Sequence, residues 1–253
     1  MNHDVDEGHG MPVLYGAMDD RRHLMAFQQA HLVTNWEAIK RTDGMLTVIC
    51  LVHNAPFYVQ KFIDSFLKHP PSMNHELILF DNASNDETAS IVNRYKCVAK
   101  TYRSGENLYF AKGNNMAFNM RSPNSTKTLL VNSDVEILSP RWIEPLLIQG
   151  SSAAGYGVVY SPTRPDGWGY LIDTKLYNKY KLDENFPFWY CITKLTAQLL
   201  SENKTVCAII GYDKYIKHYG GKSGPVSKRE LDVNEWFKGR PLVKVIDAEA
   251  ISV

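Results

Sequence analysis

Four apolar runs in this chain each stop at a short polar cluster. The first ends in Val52-His53-Asn54 and the second in Asp81-Asn82-Ala83-Ser84-Asn85-Asp86. The third is followed by Gly105-Glu106-Asn107, and the fourth ends in Asn132-Ser133-Asp134. These clusters offer amides, hydroxyls and carboxylates. Oxygen donors suit hard divalent cations such as magnesium and manganese. An unpaired carboxylate is costly at the end of a buried run, so Asp134 is either a turn residue or holds something positive. A turn or helix cap explains any one cluster alone; four in register point to a shared site. No Gly-x-Gly-x-x-Gly segment follows the first run, and there is no Walker loop. Diphosphate held by glycine-rich backbone is therefore not expected. A rim carboxylate can instead hold a cation, and the cation can hold phosphates.

The clusters need elements to position them. "LTVICLV" from Leu46 reads as a continuous, buried parallel strand. Ala55 to His69 reads as a helix with Pro56 in its first turn. "HELILFD" is a second strand, and "NDETASIVNRY" a helix with Asn85 as N-cap. "CVAKTYR", "AKGNNMAFNMR" and "KTLLVN" follow as strand, helix and strand. This alternation predicts an α/β fold, a mostly parallel central sheet covered by helices. Ligands of such sheets bind beyond the carboxyl ends of the strands. Further on, "SPRWIEPLLIQG" reads as a helix, "GVVY" as a strand and "SPTRPDGWG" as a loop. "PFWYCITKLTAQLLSENK" reads as a long helix and "TVCAIIG" as a strand, and residues 218–230 as a loop. At the start, residues 1 to about 20 are polar and expected to be loose, while 22–41 carry Leu24, Phe27, Leu32, Trp36 and Ile39 near helical spacing.

Composition is that of an ordinary globular protein. The 253 residues are 44% hydrophobic and 22% charged, with 28 Lys and Arg against 27 Asp and Glu. A net charge of +1 does not announce nucleic acid or an anionic membrane as partner. Cys50, Cys97, Cys191 and Cys207 match no zinc or redox spacing, and Cys50 and Cys97 lie in apolar runs, where buried thiols are expected. Neither a signal peptide nor a transmembrane run is recognisable. The expectation is a cytoplasmic protein, with peripheral attachment to a membrane as the variant.

The pieces "LTVICLVHN", "LILFDNASNDET", "ENLYFAKGNN" and "LLVNSDVEI" occur in the order and spacing of the family-two glycosyltransferases of the GT-A fold, and residues 46–137 resemble their nucleotide-binding half. Asn132-Ser133-Asp134 in place of Asp-x-Asp, with "LDENF" and "HYGGKSG", is similar to the rhamnosyltransferase-like branch. The resemblance implies a GT-A, Rossmann-like sheet with an acceptor-side α/β extension. It divides the chain into an N-terminal extension with one helix (1–45), a nucleotide-sugar-binding half (46–137), an acceptor half with a closing loop (138–224) and a C-terminal extension (225–253).

It also implies a divalent-metal-dependent, inverting hexosyl- or pentosyltransferase. The donor would be a UDP-, dTDP- or GDP-linked sugar, and the acceptor hydroxyl would belong to a polysaccharide or other glycan. Asp134 and His218 would hold Mn2+ or Mg2+. Asp81 would meet the nucleotide base, and Asn54, Asn82, Lys112, Asn115, Asn132, Ser133, Lys222 and Ser223 would serve the donor.

The resemblance breaks in two places. Relatives carry an acidic pair after the Asp-Glu of the acceptor segment, one member being the general base. Here those positions are Cys191 and Ile192. The base role would pass to Asp183 or Glu184, with Asp166 and Asp173 as alternatives. Relatives also mostly carry glycine in "ENxGF" where this chain has Tyr109, a residue that would reshape the pocket or stack on a ring. The aromatics Trp168, Tyr170, Phe186, Phe188, Trp189 and Tyr190 suit either a glycan platform or a core. Two rivals stand beside the enzyme reading: a degenerate GT-A domain acting as a nucleotide-sugar-binding or scaffold module, and a nucleotidyltransferase, which would want a glycine-rich phosphate loop. A protein or a modified viral DNA base is the alternative acceptor.

Overall fold

The computed structural model describes residues 31–33, 44–148, 150–188, 190–222 and 231–250. Its centre is a nine-stranded sheet built from β1 (His31–Val33), β2 (Met45–Val52), β3 (His75–Asp81), β4 (Lys100–Arg103), β5 (Ser125–Asn132), β7 (Ala153–Tyr156), β10 (Gly169–Asp173), β11 (Val206–Ile210) and β13 (Lys244–Asp247). The spatial order is β1-β13-β11-β7-β10-β5-β2-β3-β4. Every neighbouring pair is parallel except the two made by β10, which runs antiparallel to β5 and β7. The expected mostly parallel α/β sheet is therefore present.

The winding places a crevice. From β2 the chain steps outward through α1 (Pro56–Lys68), β3, α2 (Asp86–Arg94) and β4, then returns through α3 (Tyr109–Phe118) to β5 on the other side of β2. Strand order reverses between β2 and β5, and ligand crevices open at the carboxyl ends of strands at such a point. The helices follow from local chemistry. In α1, Val59, Phe62, Ile63 and Phe66 face one apolar core. The Asn85 side chain accepts from the Thr88 N–H at 2.9 Å, as its expected N-cap role requires. On the other face of the sheet, α3 lies close over β2: a Cβ on Gly113 would come within 2.7 Å of Leu51 Cδ1. That face is completed by α4 (Thr174–Tyr180) and α5 (Tyr190–Ser201), which bury Tyr177, Cys191, Leu195 and Leu199.

Several expectations are corrected. The helix over 22–41 does not hold at His31–Val33, which is β1, paired with β13; the rest of that stretch, like residues 1–20, lies outside the described residues. Pairing with a sheet edge has overridden helical spacing there. Among the described residues of 139–150, helical structure is limited to a 3-10 turn at Glu144–Leu146. Pro145 inside that stretch has no N–H to give a helix. β4 starts at Lys100 rather than Cys97, because Val98 and Ala99 donate their N–H groups to Tyr95 O in a turn. Cys97 is accordingly exposed, while Cys50 is buried as expected. The loop 161–169 contains β9 (Thr163–Pro165), which forms a hairpin with β8 (Val158–Tyr160). The short α6 (Asn234–Phe237) precedes β13.

Candidate active site

A cleft of about 550 Å³ opens at the carboxyl edge of β2 and β5. β2 brings Leu51 and His53, and β5 brings Asn132, Ser133 and Asp134. The opposite side carries Asp166, Gly167, Trp168, Phe188 and Ile192. Gly221 and Lys222 border it from the late loop.

Asp134 is almost fully buried at 3% exposure. Its partner comes from far along the chain. β6 (Val135–Ile137) and β12 (Ile216–His218) form a separate antiparallel ladder in which His218 pairs with Val135, one residue from Asp134. The ladder continues when the Tyr219 N–H donates to Asp134 O at 2.9 Å. His218 Nε2 lies 3.2 Å from Asp134 Oδ1 and 3.4 Å from Asn132 Nδ2. The imidazole stacks on Trp168, centroids 4.8 Å apart and planes 15° apart, and Trp168 in turn stacks on Tyr156. The ring is thus held with Nε2 toward the carboxylate. Burial alone would raise the Asp134 carboxyl, but the hydrogen bond and charge of His218 and the Lys222 N–H outweigh it and hold it below its ordinary value.

These residues fit a divalent cation. Among the described residues no group of three or more His, Cys, Asp and Glu converges, so Asp134 and His218 stand as a pair. Magnesium-type ions are held by one or two protein ligands, substrate phosphates and water rather than by an all-protein cage. Neighbouring ligands of an octahedral ion at ~2.1 Å lie ~3 Å apart, close to the 3.2 Å between Nε2 and Oδ1.

Beside the end of β2, His53, Asn82 and Asn107 close a ring of hydrogen bonds. His53 Nδ1 lies 2.8 Å from Asn82 O and so carries the proton there, leaving Nε2 to accept from Asn107 Nδ2 at 3.1 Å. Asn107 Oδ1 accepts from Asn82 Nδ2 at 2.8 Å and from the Tyr109 N–H at 2.8 Å. Asn82 Oδ1 accepts from the Leu108 N–H at 2.7 Å. All three residues line the cleft. His53 and Asn107 belong to two of the strand-end clusters but had no individual role from sequence; each has its partner 25 or more residues away.

Other residues named from sequence fall elsewhere. Asp81 is 2% exposed and engaged: Oδ1 accepts from the Ser84 N–H at 2.9 Å, and Oδ2 lies 3.4 Å from Arg103 Nε. Asn54 bridges to Ser84 and Asn85 outside the cleft lining. Lys112 is exposed on α3. Asn115 is buried with its amide saturated, donating to Leu182 O and Glu184 Oε1 and accepting from the Tyr177 hydroxyl and the Leu182 N–H. It staples the acceptor segment to α3 rather than lining the cleft. Ser223 and Trp189 lie outside the described residues.

Asp183 and Glu184 do not line the cleft. Asp183 pairs with Lys194, whose hydrogen bond holds its carboxyl below the ordinary value, and accepts from Asn185. Glu184 accepts from Asn115 at 3.0 Å. Asp173 pairs with Lys127 at 2.5 Å at the far end of β10. At the positions of the expected acids, burial pushes the Cys191 thiol up to about 12, and Ile192 presents an alkyl surface to the cleft.

Asp166 is different. β10 runs antiparallel, so Asp166, Gly167 and Trp168, which precede it, meet the carboxyl ends of the parallel strands; the Asn132 N–H donates to Trp168 O at 2.9 Å. The Asp166 carboxylate reaches solvent through the cleft, and no hydrogen bond or ion pair engages it among the described residues. The concave walls still strip much of its hydration, and this raises its carboxyl above the ordinary value, with His218 and Arg164 opposing the shift. Gly167 takes φ +100°, where a Cβ would press on Ile192 at 3.2–3.3 Å.

Tyr109 also lines the cleft, at φ +58° and 48% exposed. A bulky residue in the left-handed region costs of order 1–3 kcal/mol, which gives the physical reason for glycine at this place in relatives.

A mostly parallel central sheet flanked by helices matches the architecture of the GT-A glycosyltransferases. A sequence model of glycosyl transferase family 2 matches residues 47–208, and the chain belongs to that family. Among solved structures, it is similar to the mannosyltransferase PcManGT from Pyrobaculum calidifontis, solved with GDP-Man and Mn2+. The TM-score is 0.57 at 13% identity, covering 66% of this chain and 55% of that one. Glucosyl-3-phosphoglycerate synthase from Mycobacterium tuberculosis, solved with Mn2+, UDP and phosphoglyceric acid, gives a TM-score of 0.57 at 12% identity over 71% of this chain and 75% of that one. At these identities the likeness is one of fold. The chain spans about half the length of the first of these structures. Among curated proteins, no sequence matches. No helix among the described residues is long and apolar enough to cross a membrane.

Proposed function

We propose that this chain transfers a sugar from a nucleotide-diphosphate donor, UDP-, dTDP- or GDP-linked, to a hydroxyl of a glycan, with inversion and with a divalent cation, as a member of the rhamnosyltransferase-like branch. The single observation that carries this reading is the cleft itself: the Asp134–His218 pair on one wall and the unengaged Asp166 carboxylate on the other. Asp134 and His218 would hold Mn2+ or Mg2+, which when bound would supply positive charge beside the diphosphate of the donor. Asn132, Ser133 and Lys222 border the same region and offer amide, hydroxyl and ammonium groups to phosphate or ribose oxygens. His53, Asn82 and Asn107 shape the donor wall as a rigid unit.

Asp166, rather than Asp183 or Glu184, takes the proton of the acceptor hydroxyl. That oxygen forms its bond to the anomeric carbon from the face opposite the leaving phosphate oxygen, whose bond to that carbon breaks. A carboxylate raised toward neutrality is a better base than an ordinary one, provided it reaches the hydroxyl, and Asp166 is an acid with open access to this cleft. The protein works in the cytoplasm, with or without peripheral contact to a membrane that carries the acceptor.

Calorimetry with UDP, dTDP and GDP, each with and without Mn2+, tests the donor reading. A metal-enhanced affinity for one nucleotide is expected, lost in Asp134→Ala; no affinity for any of them rejects it. Nucleotide binding by the wild type without transfer to any glycan would favour the degenerate, binding-only domain, for which Ile192 in the place of an acid is the supporting observation.

A further inference from the structure

The wall between the two halves of the cleft is aromatic, and the chain maintains it against strain. Tyr109 keeps a left-handed backbone, the region glycine occupies freely and bulky residues avoid. That conformation is over-determined by its surroundings. Asn107 Oδ1 holds the Tyr109 N–H at 2.8 Å, and Asn82 Nδ2 reaches Tyr109 O at 3.4 Å. The next two N–H groups, of Phe110 and Ala111, both donate to Pro187 O, at 2.9 and 3.1 Å. The Tyr109 ring stands edge-on to Phe188, centroids 5.0 Å apart, and remains half exposed in the cleft. Ile192 and Gly167 continue the same surface. A strained residue persists where its environment enforces it, and such residues cluster at ligand sites. A core role does not account for a ring that is 48% exposed.

We propose that Tyr109, with Phe188, is a specificity-determining platform for the acceptor, stacking against the apolar C–H face of a pyranose ring so that its hydroxyl faces Asp166. This rests on the transferase reading above and names the acceptor class: a cyclic sugar unit rather than an acyclic polyol. The platform spans the donor-half turn and the acceptor segment, so the ring it holds lies at the junction of the two. An acid in the place of Ile192 would hydrogen-bond sugar hydroxyls; an alkyl and aromatic surface selects for the C–H face instead.

Saturation-transfer NMR with methyl pyranosides, in the presence of nucleoside diphosphate and Mn2+, reads this contact without turnover. Wild type and Tyr109→Phe are expected to saturate the ring C–H protons of at least one glycoside, and glycerol is not. Tyr109→Gly, which suits the backbone and so keeps the fold, is expected to weaken the signal about threefold to tenfold, the worth of one aromatic contact. Equal signals from wild type and Tyr109→Gly overturn the platform. Saturation of a hydroxymethylated nucleoside or a tyrosyl peptide in place of the glycosides overturns the glycan class. Nucleotide calorimetry on the same samples separates the two readings. Nucleotide binding with a Tyr109-independent glycoside signal rejects the platform alone. Absent nucleotide binding rejects the donor reading, while a Tyr109-dependent signal still supports the platform.

Discussion

The two walls of the cleft are built by different means. Leu51, His53 and the Asn132–Asp134 triplet arrive from the carboxyl ends of two adjacent parallel strands, in contiguous motifs. Asp166–Trp168, Phe188 and Ile192 arrive from the start of an antiparallel strand, a segment ahead of a helix, and the helix itself. The strand-end wall, proposed to meet the donor, is polar and internally hydrogen-bonded; the opposite wall, proposed to meet the acceptor, is apolar around one unengaged carboxylate. A wall that meets a diphosphate needs fixed charge and fixed dipoles. A wall that meets the acceptor needs shape and a base free to accept a proton, and a base already paired as Asp183 is with Lys194 is not free.

The comparison can be broken or sharpened by substitution. Asp134→Ala carries the largest expected effect: transfer falls by ~10³-fold when a fixed charge that serves the departing group is removed. A steady-state assay with excess Mn2+ checks it, and near-wild-type turnover would end the metal assignment. Asp166→Asn comes next, with kcat lower by ~10²–10³-fold, as for loss of a general base, and nucleotide affinity unchanged.

Asp166 also predicts two pH effects. As the base it must be ionised, so kcat/KM should fall on the acid side as Asp166 takes up a proton, and Asp166→Asn should remove that limb. In the metal-free protein its carboxyl is raised. The folded state binds that proton more readily than the unfolded chain, so the ionised group destabilises the fold at neutral pH. Asp166→Asn should therefore raise the melting midpoint at pH 7 while lowering activity. A lower midpoint would contradict the unengaged carboxylate.

Asn115→Ala should cost ~2–3 kcal/mol of stability, because it strands the buried Tyr177 hydroxyl and the Leu182 peptide. Chemical denaturation measures this, and the acceptor segment should loosen more than the donor wall in hydrogen exchange. Asp183→Asn is the smallest: ~0.5–1 kcal/mol for a partly exposed ion pair, with transfer within about threefold of wild type. Its carboxyl is lowered by the Lys194 hydrogen bond, so the pair stabilises above the unfolded carboxylate range and the contribution is lost as pH falls. A large loss of kcat in this variant would return the base role to Asp183.

How much was legible follows the same division. β2, α1, β3, α2 and β5 were readable because each carries its own signal: a buried run, Pro56 in a first turn, Asn85 as a cap. β7, β10 and α4 were not singled out. "AAGY" and "GYLID" are short, and their burial comes from neighbours on both sides. Asp166 was only one of several acids in view, because searching the carboxyl ends of parallel strands overlooks residues that precede an antiparallel one. Of the residues expected to serve the donor or the metal, Asn132, Ser133, Asp134 and Lys222 gather in the cleft with Asn82 and His218, while Asp81, Asn54 and Asn115 are held by protein partners outside its lining and Lys112 is exposed on α3.

The sequence by itself determined the alternation of strand and helix, the polar clusters at the strand ends, and the carboxylate of Asp134 among them. Those depend on contacts within a few residues or on a run's own hydrophobicity. Tertiary structure alone decided that His218 meets Asp134, through a ladder joining β6 and β12 some 80 residues apart, and that Asp166 rather than Asp183 faces the cleft. It also decided that Asn107, which holds the Tyr109 N–H, is itself fixed by Asn82 and His53 from two other strand ends. Distances between segments remote in the chain are set by packing and strand pairing, and no local pattern carries them.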